Sequence, residues 1–206
     1  MRGFRYTYLA MSTAALVRER VDSTPSRGFL AVRDVPGSRR AVETAFSRMA
    51  AEGLLVHVRR GLYWKGPRTR FGMPLPRTAE LSLVLAGPGG GPAGVTAARA
   101  LGLTTQVPAI DFYAVPGRIP TPPPGVKFVS RSIERRIHEL TAMEVALLEV
   151  LRDWPGTVEG TWADLVSVAR RLADAGEVRI VDLDGHIESE VHRGLRLRWS
   201  TLAEDL

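Results

Sequence analysis

An α+β chain of two domains is what this sequence predicts, on three observations. Apolar residues recur at helical spacing through Val42, Ala45, Phe46 and Met49, and then at a spacing of two through Leu54, Val56 and Val58. The charge is uneven: fifteen arginines and lysines face five acids through Arg77, and thirteen face seventeen beyond it, within an overall +6. Between these regions, residues 66–77 are rich in proline, glycine and arginine, the chemistry of a linker. The expected domains are residues 1–77 and 78–206, with the linker at about 66–77.

In the first domain, residues 4–9 (FRYTYL) read as a short strand or a packing arm. Met11 to about Val21 reads as a first helix, burying Ala14, Leu16, Val17 and Val21. Residues 22–27 are loop, and 28–35 (GFLAVRDV) an edge strand or turn leading into a short second helix. Pro36-Gly37 supplies a turn. Ser38 then caps a helix that buries Val42, Ala45, Phe46 and Met49 and that Gly53 ends. Its opposite face carries Arg40, Glu43, Thr44, Ser47 and Arg48. A two-stranded ribbon follows, reversing at Gly61 into Leu62-Tyr63-Trp64 and ending at Lys65. Helix, turn, helix and ribbon in this order describe a winged helix-turn-helix.

That reading gives the basic residues a task. Arg39 and Arg40 lie in the first helical turn, where cations oppose the helix dipole. A phosphate backbone would offset the cost, because the start of such a helix lies against DNA. Arg59 and Arg60 at the ribbon tip are placed to reach the adjacent minor groove or its phosphates. The expected DNA-binding residues are therefore Arg39, Arg40, Thr44, Ser47, Arg48, Arg59, Arg60 and Lys65.

The second domain is expected to be larger and mixed α/β. Thr78 to Ala86 reads as a helix with Thr78 as cap, Gly87 to Gly94 as a flexible loop, and Ala93 to Leu101 as a helix stopped by Gly102. Ile110 to Val115 and Val126 to Ser130 read as strands, joined by a rigid extended segment, PGRIPTPPPG. Ser132 to Leu140 and Thr141 to Trp154 follow as one or two helices, the second apolar at Val145, Leu148 and Leu151. Trp162 to Ala175 is the next helix, closed by Gly176. Val178 to Val191 reads as a hairpin around Asp184-Gly185, and Leu195 to Leu202 is ambiguous.

Several motifs point elsewhere. Gly89 to Gly94 (GGGPAG) satisfies the dinucleotide-binding glycine pattern, precedes a helix and has Asp111 about twenty residues on. It supports an alternative: a ligand- or dinucleotide-responsive winged-helix regulator. Against it stand the shortness of the next helix and the lack of chain for a doubly wound sheet. Asp182, Asp184, His186, Glu188, Glu190 and His192 alternate with apolar residues, as metal ligands or the solvated face of a hairpin would. Neither lysine has an acid two residues before it, opposing a restriction-type nuclease site. No Walker loop, nucleophile elbow or HExxH is present. Enzyme activity, a metal and a cofactor are not expected. Trp154 and Trp162 read as core anchors. There is no cysteine for a disulfide or thiolate site. With no apolar run of membrane length and a poor signal peptide, the expected place is the cytoplasm, with no membrane partner.

Three segments carry a resemblance: GSRRAVETAFSRMAAEGLLVHVRRGLYWKGPRTRFGMP, GPAGVTAARALGLTTQVP and DFYAVPGR. They resemble the actinobacterial AbiEi-type antitoxins of the AbiE/Men toxin–antitoxin systems, best between Asp34 and Arg118 and loosely beyond Thr141. Phe46 and Met49 stand where the family is expected to have Leu, which bears on core packing. The resemblance implies a winged-helix domain that binds promoter inverted repeats and represses its own operon. It implies a C-terminal antitoxin domain that counters a nucleotidyltransferase-like toxin. Double-stranded operator DNA and that toxin are the implied partners. By position, the DNA role falls on Arg39, Arg40, Thr44, Ser47, Arg48, Arg59 and Arg60.

Overall fold

The computed structural model describes residues 12–206. The strand or arm read at residues 4–9 lies outside them. The chain forms two compact units that meet in sequence between Arg77 and Thr78, and no described helix is long and apolar enough to cross a membrane. Helices and two small sheets make the architecture mixed α+β.

In the first unit, the Ser12 hydroxyl accepts from the Ala15 N–H at 3.2 Å and caps α1 (Thr13–Ser23). β1 (Gly28–Ala31) follows, then α2 (Arg39–Ala51), β2 (Val56–Arg59) and β3 (Leu62–Lys65). The sheet is antiparallel in the order β1-β3-β2. Where a short second helix was expected there is one 3-10 turn, Val32–Asp34. Its length has a local cause: Val35 precedes Pro36, which excludes the helical region, and it is extended at φ −112°, ψ 127°. Val17, Val21, Leu30, Val42, Phe46, Met49, Leu55 and Tyr63 form the core between helices and sheet.

The expected linker is folded back on this unit. The Trp64 indole N–H donates to the Pro74 carbonyl at 3.1 Å, and Thr69 and Gly72 bond each other across a tight turn. A Cβ at Gly66 would collide with the Trp64 ring, so this closure requires glycine.

The second unit holds α3 (Thr78–Ala86), β4 (Gly91–Ala93), α4 (Gly94–Ala100), β5 (Asp111–Pro116), β6 (Val126–Arg131), α5 (Glu134–Ile137), α6 (Ala142–Asp153), α7 (Trp162–Asp174), α8 (Ile180–Ile187) and α9 (Arg193–Asp205). β4 runs antiparallel to β5 and β5 parallel to β6. The parallel pair is joined without a crossover helix. The proline-rich segment between them can span about 3 Å per residue in extended form, enough to return along a strand of six residues.

α6 is the axis of this unit. Val145, Ala146, Leu147, Leu148, Val150 and Leu151 are all buried, not just the stripe read from the sequence. A helix apolar all round needs cover on every side. β4 and α4 supply it on one side, and Leu165, Leu183, Leu195, Trp199 and Leu202 of the last three helices complete it. Thr141 with Glu144 and Thr161 with Asp164 form capping boxes at the starts of α6 and α7.

The expected hairpin at 178–191 is instead α8, and the ambiguous segment is α9. Burial explains the correction. Leu183, His186 and Glu190 are buried, which is helical spacing, while Asp182, Asp184 and Glu188 face solvent. The alternation of acids therefore lines no single face. The expected glycine loop is corrected too, since it contains β4, three buried residues paired to β5.

Candidate nucleic-acid interface

α2 presents two stripes outside its core face. Arg39, Glu43 and Ser47 follow each other at four-residue spacing on the sheet side, and Arg40, Thr44 and Arg48 on the α1 side. On the sheet side the groups are engaged. Arg39 Nε donates to Glu43 Oε1 at 3.0 Å, and the Ser47 and Tyr63 hydroxyls are hydrogen-bonded at 3.2 Å. The Tyr63 ring stacks on Phe46 with centroids 4.9 Å apart, so Tyr63 ties the helix to β3 through both faces of its chemistry.

On the α1 side, Arg40 and Arg48 are exposed and make no ion pair or side-chain hydrogen bond with another described residue. Thr44 lies between them, its hydroxyl donating to the Arg40 carbonyl at 2.8 Å. With Thr13, Ala14, Ser38, Ala41 and Ala45 the three line an open groove of about 430 Å³ between the two helices. The first turn of α2 contains no acid, so its unpaired N–H groups and two arginines combine as one positive end.

The ribbon tip lies beyond a register shift between His57 and Arg59. Gly61 has φ +73°, the left-handed conformation that the reversal requires. Arg60 is exposed and Arg59 half-buried. Val32 N–H donates to the Gly61 carbonyl at 2.9 Å, holding the tip against the 3-10 turn that leads into α2.

Lys65 has a different role from the one read in the sequence. Its ammonium donates to the carbonyls of Val21, Asp22 and Thr24 at 2.6, 3.3 and 2.5 Å. All three of its donors thus close the C-terminal end of α1, whose last carbonyls lack intrahelical partners. This end of β3 is opposite the ribbon tip, and Arg68 lies beside it.

In the second unit the groups singled out by sequence are absorbed by packing. A Cβ at Gly89 would collide with the Arg135 backbone, and one at Gly91 would lie 2.7 Å from both the Ala142 carbonyl oxygen and Val145 Cβ. These glycines bring backbone against backbone inside the unit, and the helix after them has seven residues. Trp154 and Trp162 meet edge to face at 5.4 Å. Among the described residues no group of three or more His, Asp or Glu side chains is placed to hold a metal ion.

Sequence reasoning missed a buried ionic cluster. Glu149 of α6 accepts from Arg131 Nε and Nη2 at 2.7 and 2.6 Å and from Arg135 Nη1 at 2.7 Å. Arg135 Nε donates to Glu190 Oε1 at 2.5 Å, and His186 Nε2 lies 3.2 Å from the same oxygen. Burial raises the Glu190 pKa, but the His186 hydrogen bond and the Arg135 charge outweigh it and bring it down to about 2. Glu149 is likewise lowered: burial opposes ionisation, and the two guanidinium groups overcome it. Glu144, on the same helix, accepts from the Arg179 N–H and guanidinium at 2.8 to 2.9 Å. The one signal available in the sequence was the spacing of Leu183, His186 and Glu190.

No known protein-family model matches the chain, and no curated protein matches it. Among solved structures, the crystal structure of the RV2827C protein from Mycobacterium tuberculosis is similar at 19% sequence identity and a TM-score of 0.38. The match covers 95% of this chain and 78% of that one.

Proposed function

We propose that residues 12–77 form a winged helix-turn-helix that binds double-stranded DNA, with α2 as the recognition helix and β2 and β3 as the wing. The observation that carries this reading is the exposed row Arg40, Thr44 and Arg48 on α2, next to the acid-free first turn of that helix. An α-helix fits the major groove, and arginines spaced one turn apart can reach base edges and phosphates from it. Arg60 at the wing tip is free to meet the backbone beyond the groove. Lys65, engaged with α1, and Ser47, engaged with Tyr63, have supporting roles in this reading.

The wider reading is an antitoxin that represses its own operon through promoter inverted repeats, while residues 78–206 counter a nucleotidyltransferase-like toxin. It rests on the resemblance of three sequence segments to AbiEi-type antitoxins and on the different charge of the two regions. It assigns no catalysis to the chain and needs no direct contact with the toxin. Fluorescence anisotropy of the full chain with its own promoter fragment tests the first part. Binding that survives excess unrelated duplex supports it, and indifference to sequence at every salt concentration refutes operator recognition. Co-expression with the neighbouring open reading frame tests the second, where toxicity unrelieved by the chain refutes it.

A further inference from the structure

The antiparallel register of β1 on β3 pairs Gly28 with Lys65 and Ala31 with Leu62. The bond from Val32 N–H to the Gly61 carbonyl, at 2.9 Å, carries that register one step past the strands. One step further it sets Arg33 opposite Arg60. Both side chains are exposed, that of Arg33 to 86%. Like charges facing each other across paired backbones repel, and the arrangement is unfavourable in isolation. Among the described residues the carboxylate nearest this pair is Asp34, 3.6 Å from Arg33 Nε and itself about half exposed. An adjacent, solvated partner at that distance contributes little. The first turn of α2, with Arg39 and Arg40, follows four residues after Asp34.

We propose that Arg33 and Arg60 act as a two-armed clamp on consecutive phosphates of one strand of duplex DNA, an inference that rests on the DNA-binding reading above. Register partners stand about 5 Å apart at Cα, and consecutive phosphates of one strand advance about 3.4 Å along the duplex axis. Two long, flexible guanidinium arms starting side by side span neighbouring phosphates without distortion. The backbone bond that fixes the wing to the 3-10 turn keeps both arms at one level, and the mutual repulsion of the free protein is relieved when two anions arrive. Asp34 competes with the phosphate for Arg33. The clamp reads no bases, so it holds register on any sequence.

The full-length chain and its Arg33→Ala, Arg60→Ala, double and Asp34→Asn variants are titrated with the promoter duplex and a scrambled duplex over a series of salt concentrations. Each arginine variant is expected to weaken both duplexes by the same factor and to lower the slope of log affinity against log salt by about 0.9, the double variant by about 1.8. Asp34→Asn is expected to tighten both duplexes. Arg33→Lys keeps the charge and the parental slope, which separates a lost contact from a lost fold. Arg68→Ala, at the opposite end of β3, is expected to keep the parental slope. A parental slope for Arg33→Ala beside a lowered one for Arg60→Ala overturns the clamp and leaves the wing contact standing. Weakening of the promoter duplex alone by Arg33→Ala also overturns it. Failure of the parent to bind either duplex overturns both the clamp and the DNA-binding reading.

Discussion

Replacing Arg48 by alanine should separate recognition from folding. Arg48 is exposed on the last turn of α2 and makes no ion pair, so truncation leaves no buried group unmatched. The loss of a cation near the helix C-terminus costs at most about 1 kcal/mol, and alanine returns a little helix propensity. The melting temperature should therefore move by a few degrees at most. Binding should change much more. An arginine that meets a guanine edge through two hydrogen bonds contributes about 1–3 kcal/mol of discrimination, which is roughly a five- to 150-fold loss on the promoter duplex. A scrambled duplex should lose far less. Anisotropy titrations against both duplexes, beside a thermal melt, measure each quantity. Equal loss on both duplexes with a lower salt slope would make Arg48 a phosphate contact. Unchanged binding to both would refute the assignment of the exposed face of α2 as the reading surface.

Other predictions concern the framework. Glu149→Gln leaves Arg135, which is fully buried, without its charge partner, and should destabilise the second unit by about 3–5 kcal/mol in urea unfolding. The Glu190 carboxyl, lowered to about 2, favours the folded state above its unfolded pKa of about 4.3. That contribution is lost as pH falls from about 4.3 through 2, so melts of the second unit should drop across this window and not above it. A Cβ at Gly91 would lie 2.7 Å from Val145 Cβ, so Gly91→Ala should destabilise by about 1–3 kcal/mol through overpacking. Tyr63→Phe removes only the hydroxyl bonded to Ser47 and should cost about 1 kcal/mol in stability, with a larger loss on promoter than on scrambled duplex if Tyr63 orients α2.

Local chemistry made parts of this molecule legible. Ser38 and Gly53 mark the ends of α2, and the change of apolar period after Gly53 marks the ribbon, because capping and patterning act within a few residues. Non-local chemistry was opaque. Asp182 to His192 alternate as a strand would, but His186 and Glu190 answer Arg135, more than fifty residues earlier. Likewise Lys65 was read with the basic face, although its partners lie at the end of α1, forty-one to forty-four residues away. The glycine run carried a nucleotide-binding signature, yet what it accommodates is the backbone of Arg135 and the side chain of Val145. In each case a residue type fitted two tasks, and the partner that decided between them was distant in sequence. Arg33 was overlooked for a related reason: its significance comes from the register that sets it opposite Arg60.

The way α6 is wrapped sets an order of events during synthesis. The core around it draws on Ala97 near its start and on Trp199 and Leu202 of α9. At about 5–20 residues per second, a ribosome needs roughly 6 to 25 s to travel from Arg77 to Asp205. The core of the first unit uses only residues before Gly66. The basic unit can thus close while the apolar face of α6 still waits for its last helix. During that interval the nascent chain exposes its most hydrophobic segment beside a finished polyanion-binding head, which makes the stretch between α6 and α9 the place where chaperone or protease surveillance would act first.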